Sequence, residues 1–409
     1  LNILFLSDNF PPETNAAATR VYERAVYWAR WGHKVTVVTS FPNFPQGKLH
    51  KGYSNAWREI SHMDGIKVVR VKTFIAANRG MVFRTLDFVS FLATGGIAAL
   101  FEPRPQVVVA TSPQFFSAVA GWLVGKLRGV PFVFELGDIW PDSIAAVGVM
   151  KRSLMFRALE ALELFLYRQS AKVVALTRAF KDNLQGRGID AEKIAVVING
   201  VDLDRYAPTP RDAELEREWE LSPGVFTVGY VGTHGMAHDL LNVVRAAELL
   251  KHRQDIRFLL VGDGAERPMI MAEAERLGLT NIVFKGPQPK AMMPRIWSLL
   301  DVALVHLKDQ DTFREVIPSK IFEAMAMGLP LMLVAPEGEA SAIIDKTEAG
   351  LNVPAGRPQA LADAALRMAD DRVLTARLAA NSLASAPLYS RQTQAEAMIA
   401  VLETVAGPV

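Results

Sequence analysis

Apolar positions along the chain fall into short unbroken runs, and each run empties into a loop before a longer stretch with helical spacing begins. Leu1–Leu6 is the first such run; the loop SDNFPPETNAAATR follows, then a helix to about Trp31, a stop at Gly32 and a second run, VTVVT. Val107–Ala110 and Phe132–Glu135 bracket a helix that begins after Pro113, and an amphipathic helix over Leu154–Gln169 leads into VVALT. The pattern restarts at FTVGYVGTHG and continues through IRFLLVGDG, IVFKGPQP, DVALVHL and LPLMLV. Strands that are apolar on both faces belong to parallel sheets covered by helices on both sides, whereas a sheet with one wet face alternates. Strands and helices taking turns in this way predict an α/β chain of two doubly wound, Rossmann-like parallel-sheet domains. The turn at Asn199-Gly200 and the prolines at 208 and 210 mark a linker, and Arg211–Glu220 reads as a solvated linker helix. The expected division is 1–203, 204–385, and a terminal segment 386–409 whose helix, SRQTQAEAMIAVLE, crosses back to the first domain.

Two stretches interrupt the alternation. Between Asn43 and Asn78, aromatics and polar residues mix irregularly around a strand at about Ile66–Thr73. The second, 81–101, is MVFRTLDFVSFLATGGIAALF, nearly all apolar but broken by Arg84, Asp87 and Gly95-Gly96. A spanning helix needs about 20 apolar residues with few charges, so two other readings stay open. One is a buried core helix. The other is an interfacial helix, with Arg79 and Arg84 at lipid phosphates and Phe83, Phe88 and Phe91 in the acyl boundary.

Composition narrows the function more than the fold. With 409 residues, 50% hydrophobic and 22% charged, the chain has large cores and is not disordered. A net charge of only +2 gives no basic stripe for nucleic acid. The absence of cysteine excludes disulfides and thiolate metal sites and is compatible with a reducing compartment. LNILFLSD lacks a basic lead and a small-residue cleavage site, so it reads as a strand rather than a secretion signal. The expected location is cytoplasmic, at the inner face of the cell membrane if 81–101 is interfacial.

Charged residues gather at the carboxyl ends of the strands, where open α/β sheets place ligands. The stretch 315–330, EVIPSKIFEAMAMGLP, reads as a loop entering a helix with Pro318 at its first position and Gly328 as its stop. Glu315 then stays outside the helix and Glu323 lies inside it, with Ser319 and Lys320 at the N-terminus, whose free N–H groups suit a phosphate. Strand, glycine loop and helix at Gly232, Thr233, His234 and Gly235 form a second phosphate cradle. In ELGDIWPDS, Glu135, Asp138 and Asp142 are candidate carboxylates.

Glu, seven residues, Glu, then AMAxGxP resembles the signature of family 4 retaining glycosyltransferases, whose GT-B fold sets two Rossmann-like domains about a central cleft. The resemblance implies that Glu315 contacts the transferred sugar, Glu323 the ribose, and the loops at Gly232–Gly235, Gly262 and Gly286 the nucleotide, with Ser319 and Lys320 at the diphosphate. DIWPDS resembles the DLWPES of enzymes that move N-acetyl-fucosamine-like sugars, which makes Asp138 the choice for an acceptor contact or base; turn capping is its bland alternative. The first-strand loop at Asn15 and Ala16 becomes an acceptor wall. Where the family places an Arg and a Lys after the glycines, this chain has Thr233 and His238, so either Lys320, the two histidines and helix termini supply the positive field or donor binding is weak. Asp202 and Asp204 form a D-x-D pattern, but their setting favours capping over a metal.

These readings imply a UDP-sugar donor as substrate without cofactor or metal, a lipid-linked glycan acceptor, and retention of anomeric configuration in envelope polysaccharide synthesis. Two alternatives stay open: a sugar-nucleotide epimerase of similar architecture, and a non-catalytic envelope-assembly protein with a degenerate donor site.

Overall fold

Every unbroken apolar run becomes a strand. The structure, a computed structural model, describes residues 1–13, 15–44, 46–75, 81–112, 115–139 and 154–406, with the backbone alone at 81, 82 and 84. Arg79, Pro113, Asp142 and the side chain of Arg84 therefore lie outside the described residues. Contacts divide the chain into one unit of Leu1–Asn199 with Arg391–Val409 and a second of Gly200–Ser390.

The first unit holds β1 (Asn2–Leu6), β2 (Lys34–Ser40), β3 (Arg58–Met63), β4 (Ile66–Val71), β5 (Val107–Thr111), β6 (Phe132–Leu136), β7 (Lys172–Ala175) and β8 (Ile194–Val196). They lie in the order β3-β4-β2-β1-β5-β6-β7-β8. All pair in parallel except β3, which runs antiparallel to β4. Alternate residues of β1 face opposite ways: Leu4 and Leu6 join a core with Phe91, Phe134 and Tyr167, while Ile3 and Phe5 join one with Trp28, Met398 and Leu402. The latter core is closed by the last helix, Arg391–Val405, to which the Trp28 indole donates at the Ala395 carbonyl, 3.0 Å away.

β3 is an element that the apolar pattern does not announce. Its residues are mostly exposed, since it pairs on one side only, but Asp64 and Gly65 both have positive φ, 49° and 83°, and close a tight hairpin into β4. The Asp-Gly pair was the available signal.

The helix over Met81–Leu100 has 20 residues, and no described helix is long and apolar enough to cross a membrane. Phe91 is fully buried and so cannot enter an acyl boundary as the interfacial reading required, while Phe88 is half-buried against Phe116. Helical spacing instead brings Phe83, Leu86, Val89, Ile97 and, just beyond the end, Phe101 to one exposed apolar stripe. Core and surface readings each hold for one face.

In the second unit β9 (Phe226–Val231), β10 (Ile256–Val261), β11 (Ile282–Lys285), β12 (Val302–His306), β13 (Leu331–Val334) and β14 (Gly350–Val353) form an all-parallel sheet. Its order is β11-β10-β9-β12-β13-β14. Strand order reverses between β1 and β5 in one sheet and between β9 and β12 in the other. Helices leave opposite faces there and open a crevice at the strand ends, the usual ligand seat of such sheets.

Candidate active site

At the second switch point the loop after β9 and the loop after β10 are locked together through their backbones. Gly232 N–H donates to the Val261 carbonyl (2.9 Å), His234 N–H to that of Asp263 (2.8 Å), and Glu266 N–H to that of His234 (2.9 Å). Such an approach requires glycine: at Gly262, with φ of 144°, a Cβ would lie 1.9 Å from the Gly232 carbonyl oxygen. Gly232, Thr233, Gly262, Asp263, Pro287 and Gln288 border a cavity of about 280 Å³. Gly286 directly precedes its far wall, and Gly235 turns the chain away, its carbonyl accepting from His238 N–H at 2.9 Å.

Lys320 reaches this loop from the motif after β12. Its Nζ lies 3.9 Å from the centroid of the Tyr230 ring, a cation–π contact, and 2.5 Å from where a Cβ on Gly232 would stand. Gly232 therefore leaves open the space between ammonium and loop. The tyrosine is held in place by its hydroxyl, which donates to the Thr233 carbonyl at 2.7 Å. Burial pushes the Lys320 ammonium down to about 8, against the pull of Glu323.

The local structure around Lys320 differs from expectation in one respect. Asp311–Glu315 forms a 3-10 turn, Val316 is extended, and the helix spans Lys320–Ala326, so Pro318 precedes it. The proline contributes its carbonyl, which accepts from Ile321 N–H at 3.1 Å in an opening i→i+3 turn. Gly328 (φ 69°) ends the helix, with Leu329 N–H reaching back to the Ala324 carbonyl at 3.0 Å. Seven residues make barely two turns, so the positive field here belongs to Lys320 rather than to a helix end. Glu315 and Glu323 are half-buried on either side of it in sequence, and Ser319 is exposed.

The histidines do not share in that field. His234 is fully buried and held down to about 4 by burial and then by Arg267; its two ring nitrogens have no hydrogen-bond partner among the described residues. His238 is lowered by burial and then by Lys320, and its Nδ1 donates to the His306 carbonyl at 3.3 Å. His306, a polar residue that the sequence reading passed over inside DVALVHL, is fully buried, 2.8 Å from Asn242 Nδ2, and burial takes it to about 3. All three are neutral at pH 7. That corrects the expectation that histidines replace the missing Arg and Lys: as neutral rings they pack close to the ammonium without repelling it.

In the first unit, Glu135 at the end of β6 is fully buried with Arg24 Nη1 at 2.7 Å and Arg20 Nε at 3.2 Å. Burial alone would raise its carboxyl, but Arg24 and then Arg20 outweigh it and hold it down to about 2. An ion-paired carboxylate sealed from solvent cannot meet an acceptor, so Glu135 leaves the set of candidates. Asp138 is half-buried, with its N–H directed at Ser112 Oγ, 3.3 Å away, beside the N–H of Gly137 at 2.8 Å. Asn15 caps the helix Ala16–Arg30, its Oδ1 accepting from Ala18 N–H at 2.9 Å. The alanines thus form a first helical turn rather than a loop, and the Asn15 side-chain carbonyl accepts within the chain. Asp202 Oδ1 accepts from Asp204 N–H at 3.0 Å, closing the turn. Sequence reasoning passed over Asp8, at the end of β1 beside the switch point, whose carboxyl is raised well above its usual range by burial, Asp87 and Glu13.

Residues 15–200 match the Glycosyl transferase 4-like domain, and residues 176–371 match Glycosyl transferases group 1. The chain belongs to the family 4 glycosyltransferases, of the GT-B fold. One relative of this glycosyltransferase is WcaI of Escherichia coli (strain K12), a candidate colanic acid biosynthesis glycosyl transferase. It is 25% identical over 336 residues, 80% of this chain and 82% of WcaI. A GDP-mannose-dependent alpha-mannosyltransferase of Mycobacterium tuberculosis is 26% identical over 382 residues, 91% of this chain and 89% of that protein. The solved structure of Anabaena HepE in complex with UDP superposes with a TM-score of 0.74 at 18% identity, covering 99% of this chain and all of HepE. That likeness is one of fold. In the glycosyltransferase described here, the second unit brings Gly232, Thr233, Gly262 and Lys320 around one crevice, with Glu315, Ser319 and Glu323 on the segment that carries the lysine.

Proposed function

We propose that this glycosyltransferase takes a UDP-sugar, carrying an N-acetylated 6-deoxyhexose, and transfers the sugar with retention to a lipid-linked glycan of envelope polysaccharide synthesis. The observation that carries the donor reading is Lys320, a half-buried cation seated on the Tyr230 ring against the glycine loop of β9 at a switch point. A leaving diphosphate gathers negative charge as the glycosidic bond breaks, and a cation already fixed in a water-poor site stabilises that charge without reorganising. In this assignment Lys320 and the N–H groups of Gly232–Gly235 hold the diphosphate, Glu323 the ribose hydroxyls and Glu315 the sugar. Asp138 faces the acceptor. No metal enters, so turnover is expected to persist in EDTA. A degenerate donor site would want a glycine loop with no cation beside it, and Lys320 stands against that.

Glu323→Ala is expected to weaken UDP binding by about 1–3 kcal/mol, the range for leaving hydroxyls unpaired in a buried site, whereas Glu315→Ala chiefly lowers turnover. Calorimetric titration with UDP, and with GDP as competitor, measures the first; initial rates with radiolabelled UDP-sugars measure the second. Unchanged UDP affinity in Glu323→Ala contradicts the ribose role, and preference for GDP contradicts the uridine assignment.

Membrane contact through 81–101 is assigned to the exposed stripe of Phe83, Leu86, Val89, Ile97 and Phe101. An apolar helix face of this length lies in the interface plane when cations flank it, and Arg128 donates to the Leu100 and Glu102 carbonyls at one end, carrying Lys126 and the exposed Leu127 with it. Phe83→Asp with Phe101→Asp is expected to release the protein from anionic vesicles in a sedimentation assay while its unfolding midpoint stays unchanged. Equal sedimentation of variant and parent contradicts the assignment.

A further inference from the structure

The connection from β2 to β3 is not a slack loop. Glu13 is 3% exposed, and one of its carboxylate oxygens accepts from both Asn43 N–H and Phe44 N–H at 2.8 Å, an unusual use of a buried charge to pin a surface segment. Within the segment, Gly47 N–H donates to the Asn43 carbonyl (2.8 Å), His50 N–H to that of Pro42 (3.0 Å), and the His50 ring meets the Phe44 carbonyl at 3.0 Å. Behind it Arg70, 2% exposed, donates to the carbonyls of Ser40 and Pro11 and places its guanidinium 5.3 Å from the centroid of the Tyr53 ring. The segment frames a cavity of about 670 Å³ whose wall includes Asn43, Gln46, Lys48, His50, Lys51 and Tyr53. Among the described residues two lysines border it and no carboxylate does. Behind the wall the buried Arg70 guanidinium is offset by the Glu13 carboxylate, so the positive potential at the cavity comes from Lys48 and Lys51.

We propose that this cavity binds the phosphate of a glycosyl phosphate or diphosphate, with Lys48 and Lys51 on the phosphate and Tyr53, Asn43 and Gln46 against the sugar. The inference rests on the glycosyltransferase reading and names the acceptor's chemistry: a sugar that already bears phosphate. A cavity of this volume holds a ligand of one or two sugar rings, and amide, aromatic and cationic groups together recognise hydroxyls, a pyranose face and an anion. Arg70 acts as a positioning residue, setting Tyr53.

The test measures binding of glucose 1-phosphate, of methyl glucoside, and of phosphatidylcholine vesicles with and without phosphatidic acid, all with the donor site saturated by UDP. Parent chain, Lys48→Gln/Lys51→Gln, and a control, Lys34→Gln/Lys251→Gln, are compared. Parent and control are expected to bind glucose 1-phosphate and not the neutral glucoside, and the pocket variant to bind it at least about 10-fold more weakly, the worth of one or two charge-assisted hydrogen bonds. Loss confined to phosphatidic acid vesicles supports the same phosphate site with a membrane-borne source. Equal binding by the pocket variant and the control in both arms overturns the proposal. UDP affinity is read separately in every variant: its retention shows the pocket variant folded, and its absence from the parent would count against the donor assignment without touching the phosphate result.

Discussion

Lys320→Met is expected to lower the turnover number for sugar transfer by about 10²- to 10³-fold, the size of effect seen when one preorganised donor is removed from a developing anion. Methionine nearly matches the lysine in length and packs well against Tyr230, so the fold is retained and the charge alone is lost. Its neighbours cannot take over: His234, His238 and His306 are all lowered by burial and stay neutral at pH 7. The same residue sets a pH dependence. A lysine is cationic below its pKa, and burial has brought that value down to about 8, so kcat/KM for the donor is expected to be maximal on the acid side and to fall as pH rises through about 8. In Lys320→Met this alkaline limb is expected to vanish. A variant with parental turnover, or with the same alkaline limb, removes Lys320 from the reaction.

Glu135→Ala acts on stability rather than chemistry, and is expected to destabilise the first unit by about 3–5 kcal/mol. The carboxylate is sealed between Arg24 and Arg20, which are 1% and 4% exposed, so its removal strands two guanidinium groups away from water. Part of Arg20 stays satisfied through Thr111 Oγ1 at 3.1 Å, which argues for the lower end of that range. The linkage has a definite sign. The folded carboxyl is held below its usual value, at about 2, so its contribution is complete above about pH 4.5 and is lost as pH falls toward 2. Urea unfolding followed at pH 7 and pH 3 measures both effects. A loss under about 1 kcal/mol at pH 7 would mean that water or another carboxylate reaches the arginines.

Much of the sheet architecture was legible because a parallel strand buried on both faces cannot avoid being a run of valine, leucine and isoleucine. β3 was not, because an edge strand with exposed side chains carries no such run, and only Asp64-Gly65 betrayed the hairpin. The glycine loop and the 315–330 motif were legible for a similar reason: the glycine at 262 is dictated by backbone approach and that at 232 by its φ of 149° and the Lys320 side chain against it, and sequence displays such glycines directly. Roles that depend on long-range partners were hidden. Glu135 and Asp138 looked equivalent at the end of one strand, yet the first is claimed by two arginines from the helix Ala16–Arg30. Likewise the protonation of His234 depends on burial, which its position beside two glycines does not reveal. Phe91 and Phe83 lie eight residues apart on the same apolar helix, and only packing shows that one belongs to the core and the other to the surface.

The claim on which the donor site rests is that a nucleotide diphosphate lands beside the Lys320 ammonium. Calorimetric titration of UDP at pH 8, repeated in buffers of different ionisation enthalpy, counts the protons exchanged on binding. A lysine near its midpoint takes up about half a proton when an anion arrives next to it, and Lys320→Met takes up none. Binding without proton uptake in the parent, or equal uptake by parent and variant, contradicts the account.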